Sequence, residues 1–541
     1  MKNQLFILSA LLFSVMIYAQ KQMSSAEVSP SATTAANQML LVNDGTLKVA
    51  AAGSIFIPAG SFLTVRDEIT NLGDGTNFVV ESNGALIQIN DAAAANVGPI
   101  TVKRISNMKR LDYTYWSSPV VEQTFKSFSP ETADKRFYTY NEWDDKFTSV
   151  PNVNAAFTPA KGYAIRVRDY HTFSPTDWLG KYVGTPNNRE YQIKLAKSGS
   201  TFGYNLVGNP YPSNINFDAL VAIPGNGNLI YTAAYFWTNT NPNGAMQGSN
   251  YPNGALINNY AIYNGTGGAP ATGATNSSKI PDGTIKVGQG FIVQTKIAGD
   301  LKFNNTIRDQ KQGKFFDKSV PPDRFWLNLT TPLDIQSTIL IGYIPAATNG
   351  LDLDYDAPLL VLGADALFTN LGSERLAIQG RQYPLNQSEV IPLGMSHYEA
   401  GFYTISLGNR EGIFNKGQNI YLKDYQTGLV TNLSATDYIY QGNKGLTENR
   451  FEILYQPQIV LGTDNVSKES LIVYRNGNDF VLKSPYNKIT EVEMYDVSGR
   501  LIYKVRPNNK MTTIPAESIG QGVYILKINQ EGQFSTRKIL K

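Results

Sequence analysis

Three aspartates at alternate positions, Asp352, Asp354 and Asp356, are the residues whose type and spacing best suit a metal ion. Carboxylates placed this way can converge on Ca²⁺, which prefers oxygen ligands, if the loop between them curls. EF-hand spacing is missing, because Ala357 stands at the sixth position instead of Gly and Gly363 at the twelfth instead of Glu. On an extended strand the three side chains would share one solvent-facing side. Ca²⁺ is the one cofactor for which the sequence offers ligands.

A second acidic group, Glu142, Asp144 and Asp145, surrounds Trp143. A glycoside hydrolase needs only two carboxylates, so a lack of His or Cys does not exclude one. With no supporting context, a solvated turn is the preferred reading of these residues. His171 and His397 are the only histidines, and neither neighbours a Ser-centred nucleophile elbow. No His-x-x-x-His pair, phosphate loop or dinucleotide-type Gly-rich turn occurs, so each His is read as a surface or turn residue. Cys is absent, which removes disulfides, thiolate catalysis, Cys-zinc sites and a lipidated Cys together. No catalytic or cofactor-binding set remains.

Aromatic residues are the other functional sign. Trp116, Trp143, Trp178 and Trp237, with many Tyr, concentrate between positions 110 and 310. Flat rings bind sugars and protein partners, and they equally fill β-sheet cores; for any single ring the core reading is preferred.

The elements that must position these residues read as strands. The 541 residues carry 46 Gly, 27 Pro and 31 Tyr with only 17% charged residues, a composition that suits a turn-rich all-β protein of several domains. A net charge of +3 provides no field to recruit nucleic acid or an anionic membrane. Met1-Lys2-Asn3-Gln4 followed by the apolar run 5–17 and Ala19 reads as a secretory signal peptide over 1–19. No later stretch reaches eighteen apolar residues, so no transmembrane segment is expected in the mature chain.

Residues 20–39 are Ser/Thr/Ala-rich and read as a flexible leader. From 40 to 110 come short apolar phrases, each closed by Gly, Asn or Asp, which fit either stacked β-rungs of a short solenoid or a hairpin meander. Residues 111–310 contain an internal duplication. Asp112 to Pro119 answers Gly203 to Pro210, Phe137 to Trp143 answers Ala234 to Thr238, and Lys161 to Val167 answers Gln289 to Thr295. The strands are expected to stop at Ser118-Pro119 and Asn209-Pro210, because Pro cannot extend a ladder. The Gly/Asn/Pro-rich stretch 224–274 is an insertion and a natural binding surface. Residues 320–456 read as a β-sandwich domain, including a strand at Leu359-Leu360-Val361-Leu362, and 457–470 as a linker.

The last segment, 471–541, alternates apolar and polar residues between turn clusters, with a hairpin expected at Ser498-Gly499. The order YDVSGRLIY, an Asn-rich loop, IPAESIGQGVYILKI and a closing TRKILK resembles the C-terminal sorting domain of the type IX secretion system of Bacteroidetes bacteria. Asp496, Gly499, Arg500, Gly522, Tyr524 and Lys538 carry the resemblance; where many members begin Tyr-Pro-Asn-Pro, this chain has Val473-Tyr474-Arg475-Asn476-Gly477. The resemblance implies an Ig-like β-sandwich, the type IX machinery as partner, and delivery to the cell surface or medium with the domain removed. The 113–455 stretch resembles, more loosely, the β-rich cargo that precedes this domain in flavobacterial surface proteins. The expected whole is a set of tandem β-sandwich-like domains acting as a non-catalytic adhesin that binds surface glycans or matrix proteins. The alternative is a secreted carboxylate-based glycoside hydrolase or its accessory binding subunit.

Overall fold

The structure is a computed structural model describing residues 45–199, 203–239, 258–274, 279–309, 322–456, 471–484 and 487–541, with backbone alone for four short strands between 21 and 43. The signal-peptide stretch 1–19 and the linker 457–470 lie outside the described residues, as does 240–257 of the insertion. Strands account for most of the regular structure, and the fold is all-β. The chain divides into two compact units, the first from 1–254, 259–265 and 281–318, the second from 255–258, 266–280 and 319–541.

In the first unit, apolar triplets such as Leu47–Val49 and Ile55–Ile57 point in, out and in. Strands of three residues bury too little to stand alone, and here they stack in parallel instead. One stack holds Lys21–Met23, Leu40–Asn43, Phe62–Val65 and Ala85–Gln88; a second holds Ala26–Val28, Leu47–Val49 and Ile69–Asn71. A third holds Ala32–Thr33, Ile55–Ile57, Phe78–Val80 and Ile100–Met108. Leu40 lies beside Phe62 and Phe62 beside Ala85, so one coil takes about 22 residues, the spacing of a β-solenoid. Leu47, Val49, Leu63, Val65, Ile69, Phe78 and Val80 fill its interior. Of the two readings the sequence left open, the parallel register selects the solenoid. Among the described residues the stacks include Lys21–Met23, Ala26–Val28 and Ala32–Thr33, so three strands occupy the stretch read as a flexible leader.

The duplication is visible in sheet order. In the first copy Tyr113–Trp116 pairs with Tyr163–Arg166, which pairs with Phe137–Asn141, which pairs with Lys146–Ser149. In the second copy Tyr204–Gly208, Gly290–Thr295, Ile230–Trp237 and Tyr260–Asn264 follow the same sequence of pairings. Each copy also has a short helix after its first strand, Phe125–Phe128 and Phe217–Ala222, capped by the side chains of Thr124 and Asn216, and the second copy adds Asn226–Leu229. The first strands end before Pro119 and Pro210, as expected. Asn187 sits between those two turns and donates from Nδ2 to the carbonyls of Ser118 (3.1 Å) and Pro210 (2.8 Å). Tyr115, Trp237 and Tyr260 form an aromatic seam between the copies, the Tyr115 and Tyr260 hydroxyls 2.8 Å apart.

A paired strand and a buried arginine are among the links that fasten the solenoid to this module. Ile100–Met108 pairs antiparallel along its length with Thr176–Gly184. Arg308, buried, donates to the Leu86 carbonyl (2.7 Å), Ser213 Oγ (3.0 Å) and the side-chain oxygens of Asn188 and Asn305, with its guanidinium over Tyr211. Burial pushes this guanidinium down to about 10, since its acceptors are neutral.

The second unit is built on the hairpin Asp323–Thr330 and Ile335–Ile344, extended through Glu374–Gln382, Ala366–Leu371, Val390–His397 and Gly445–Leu454 to Tyr421–Asp424 and Leu429–Asn432. Part of the insertion serves this unit and is not free surface: Gly273–Ala274 pairs with Ile335–Ile344, and the carbonyls of Thr266 and Gly268 accept from Arg324 and Trp326. Leu359 to Leu362 is not a strand. The run follows Pro358 and lacks alternation, and the neighbouring Ala366–Leu371 takes the place with partners on both sides.

Residues 471–541 form a seven-strand sandwich. Ile472–Asn476, Asp479–Lys483 and Met511–Ile514 make one sheet; Leu501–Val505, Ile489–Asp496, Val523–Gln530 and Gln533–Leu540 make the other. Its first strand also pairs in parallel with Leu429–Asn432 through Val430–Tyr474 and Thr431–Arg475. Replacing Asn187 by Ala strands two buried carbonyls, an expected loss of about 1–3 kcal/mol. A calorimetric scan should show it as a lower midpoint for the first unit's transition, with the second unit's unmoved.

Candidate functional site

The six motif residues of the C-terminal sandwich come together at one end of its four-stranded sheet. Asp496 lies beside Tyr524, Tyr524 beside Ile539, and Lys538 beside Ile525, while Gly522 and Lys541 exchange both backbone hydrogen bonds (3.0 and 2.9 Å). The hairpin predicted at Ser498-Gly499 is present and is organised by one carboxylate. Asp496 Oδ1 accepts from the Ser498 amide (3.0 Å), the Ser498 hydroxyl (2.6 Å) and the Arg500 amide (3.0 Å), and Oδ2 accepts from Arg500 Nε (3.1 Å). The Ser498 hydroxyl, then burial opposed by the amides and Arg500, leaves this carboxyl below its ordinary range. Gly499 follows at φ +83°, where a side chain would strain the backbone.

Tyr524 begins its strand and returns its hydroxyl to the Gly520 carbonyl (2.9 Å), the arrangement of a tyrosine corner in Ig-like sandwiches. Lys541, which sequence reasoning missed, reaches from the last position to the carbonyls of Ala516, Glu517 and Ile519. Arg500 and Lys538 are exposed.

The three aspartates considered for Ca²⁺ do not gather. Their segment is a turn, and Asp356 is fully buried with Oδ2 accepting from the Asp352 amide (2.7 Å) and Oδ1 from the Gly380 amide (2.9 Å). Burial pushes its carboxyl up to about 6. Asp352 Oδ1 in turn accepts from the Asp354 amide (3.2 Å). Among the described residues no group of three His, Cys, Asp or Glu is placed to hold a metal. Alternating Asp here serves backbone closure.

Glu142 is buried as well, contrary to the solvated-turn reading. Its Oε1 accepts from the Ser198 amide (2.8 Å) and hydroxyl (3.1 Å), a contact across 56 positions that local sequence does not announce. Asp145 stays exposed at φ +52° and accepts from the Tyr140 hydroxyl (2.5 Å), so the acids around Trp143 hold separate pieces of chain. Both histidines are buried instead of surface-exposed. His397 packs its ring on Tyr403 and meets the Tyr440 hydroxyl at 2.7 Å, and burial, with Arg450 adding repulsion, pushes it down to about 4. His171 Nε2 lies 3.0 Å from both the Met108 carbonyl and Thr176 Oγ1.

That histidine anchors the most exposed aromatic surface of the first unit. In the turn spanning 168–175, Tyr170 is 66% and Phe173 79% exposed. The turn is fastened throughout. The Arg110 amide donates to the Thr172 carbonyl (2.7 Å) and Arg110 Nε to the Asp169 carbonyl (2.6 Å), Arg166 pairs with Asp169, and Glu131 accepts from both Arg168 and the Tyr170 hydroxyl. The Tyr170 hydroxyl and then Arg168 hold the Glu131 carboxyl below its usual range. The guanidinium of Arg168 covers Tyr170 (4.9 Å) and that of Arg110 covers Phe173 (5.1 Å). Trp116 is buried and Trp178 and Trp237 half-buried, so the core reading holds for them; Trp143 stands 69% exposed.

A family model described as Domain of unknown function (DUF8693) matches residues 14–455, and a second, Domain of unknown function (DUF8694), matches residues 461–541. No curated protein matches the chain. No helix among the described residues is long and apolar enough to cross a membrane.

With only two histidines, proton NMR reads His397 directly. Its ring should titrate near 4 and stay neutral at pH 5.5, and its share of stability, present above about 6.5, should be lost as pH falls toward about 4. A ring titrating near 6.5 would place it in solvent. Tyr524→Phe should lower the stability of the C-terminal sandwich by about 1 kcal/mol, read as a lower denaturant midpoint of that sandwich.

Proposed function

This chain belongs to the DUF8693 family, a domain of unknown function, and we propose that it is a cell-surface or secreted protein exported by a type IX secretion route, with a cargo that binds glycans or matrix and does not transform them. The observation that carries the export half is the convergence of Asp496, Gly499, Gly522, Tyr524 and the terminal strand at one end of a single sheet. The eight-residue strand Gln533–Leu540 pairs along its length and Lys541 is tied at both backbone and side chain, so this end of the sheet is a folded, readable surface. Exposed Arg500 and Lys538 at that end give a machinery component charged groups to read.

The binding half is supported by how the polar residues are employed. Asp356, Glu142, His171 and His397 each satisfy a partner within the fold, whereas Tyr170 and Phe173 are held out in water by a braced turn. Exposed aromatics on rigid β-modules are a usual means of recognising sugars and proteins.

The test is export in a bacterium that possesses the type IX route. The full chain should reach the surface or medium, a version ending at 456 should stay in the periplasm, and residues 457–541 placed after a reporter should export it. Surface delivery of the version ending at 456 would overturn the proposal.

A further inference from the structure

We propose that Arg110, Tyr170 and Phe173 form the ligand site of the first unit and that its ligand is an acidic glycan, a sugar ring bearing carboxylate or sulfate. The inference rests on the binding reading above and names its chemistry. Two apolar ring faces stand exposed on one short turn, and four separate contacts from Arg110, Arg166, Arg168 and Glu131 prevent the turn from folding them away. A ligand therefore meets rings already in place and orders little on binding. The C–H face of a pyranose is the partner that flat, fixed rings suit.

Charge supplies the second criterion. Arg166 is neutralised by Asp169 and Arg168 by Glu131. Arg110 is different: its Nε is committed to the Asp169 carbonyl, and among the described residues it has no acid partner and its two terminal nitrogens meet no hydrogen-bond acceptor. Its guanidinium lies over one face of the Phe173 ring, so an open donor fork is held beside the ring whose other face is left for stacking. Such a fork matches the planar oxygen pair of a carboxylate or sulfate, which a neutral sugar lacks. The exposed Trp143 has no cation over its ring among the described residues and serves as the comparison.

The experiment measures binding of the full chain to immobilised polygalacturonate and dextran sulfate, with unmodified dextran as the neutral probe and collagen and fibronectin as protein probes. Binding to the two acidic polymers and not to dextran is expected, weakened by salt. Phe173→Ala and Arg110→Lys should each reduce affinity about tenfold, the second because an ammonium keeps the charge but loses the fork. Phe173→Ala changes an exposed side chain, so an unaltered thermal midpoint should accompany the loss; Trp143→Ala should bind as the unchanged protein does. Equal binding of dextran, or loss with Trp143→Ala and not Phe173→Ala, would overturn the site while leaving glycan binding standing. Binding to no polysaccharide would overturn this proposal, and the protein probes would then report whether the broader reading survives.

Discussion

Every module of this protein depends on giving its strand edges a partner. With no cysteine to staple it, the chain relies on noncovalent contacts alone, and an open edge is both unsatisfied and prone to aggregate. The solenoid would end at Ile100–Met108 with an open flank; Thr176–Gly184 of the next module closes it, and Arg308 adds a buried tie to the Leu86 carbonyl. The C-terminal sandwich lays Ile472–Asn476 along Leu429–Asn432. The edge strand Gln533–Leu540 carries Arg537 and Lys538, charges of the kind that discourage unwanted strand addition.

This constraint explains what was legible in the sequence. Features set within a few residues could be read: the Ser498-Gly499 hairpin from turn chemistry, the strand ends at Pro119 and Pro210 from the missing N–H, and the duplication from three landmarks in order. The solenoid was half legible, because triplets closed by turns announce short strands but not whether they pair with neighbours in sequence or one coil away. The linking contacts were not legible at all. Glu142 looked solvated because Ser198, which buries it, lies far along the chain, and His397 looked like a surface residue because Tyr403 and Tyr440 enclose it only after the sheet forms. Leu359 to Leu362 misled by apolarity without period.

The same division separates the C-terminal motif from the binding site proposed for the first unit. The C-terminal motif is local in sequence and folds into one corner, with Asp496 closing a turn and Tyr524 closing another. The binding surface proposed for the first unit is assembled from a turn and from residues 110 and 131, positions with no motif between them. Only the exposure of Tyr170 and Phe173, against the buried roles of the other candidates, distinguishes it.

Amide hydrogen exchange of the intact chain tests the dependence on shared edges most directly. Peptides covering 100–108 and 176–184 should be protected together, to the degree of core strands such as Gly290–Thr295, because each supplies the other's hydrogen bonds. Rapid exchange of either segment while the core strand stays protected would show that the solenoid stands without its neighbour, and the account of how these modules hold together would fail.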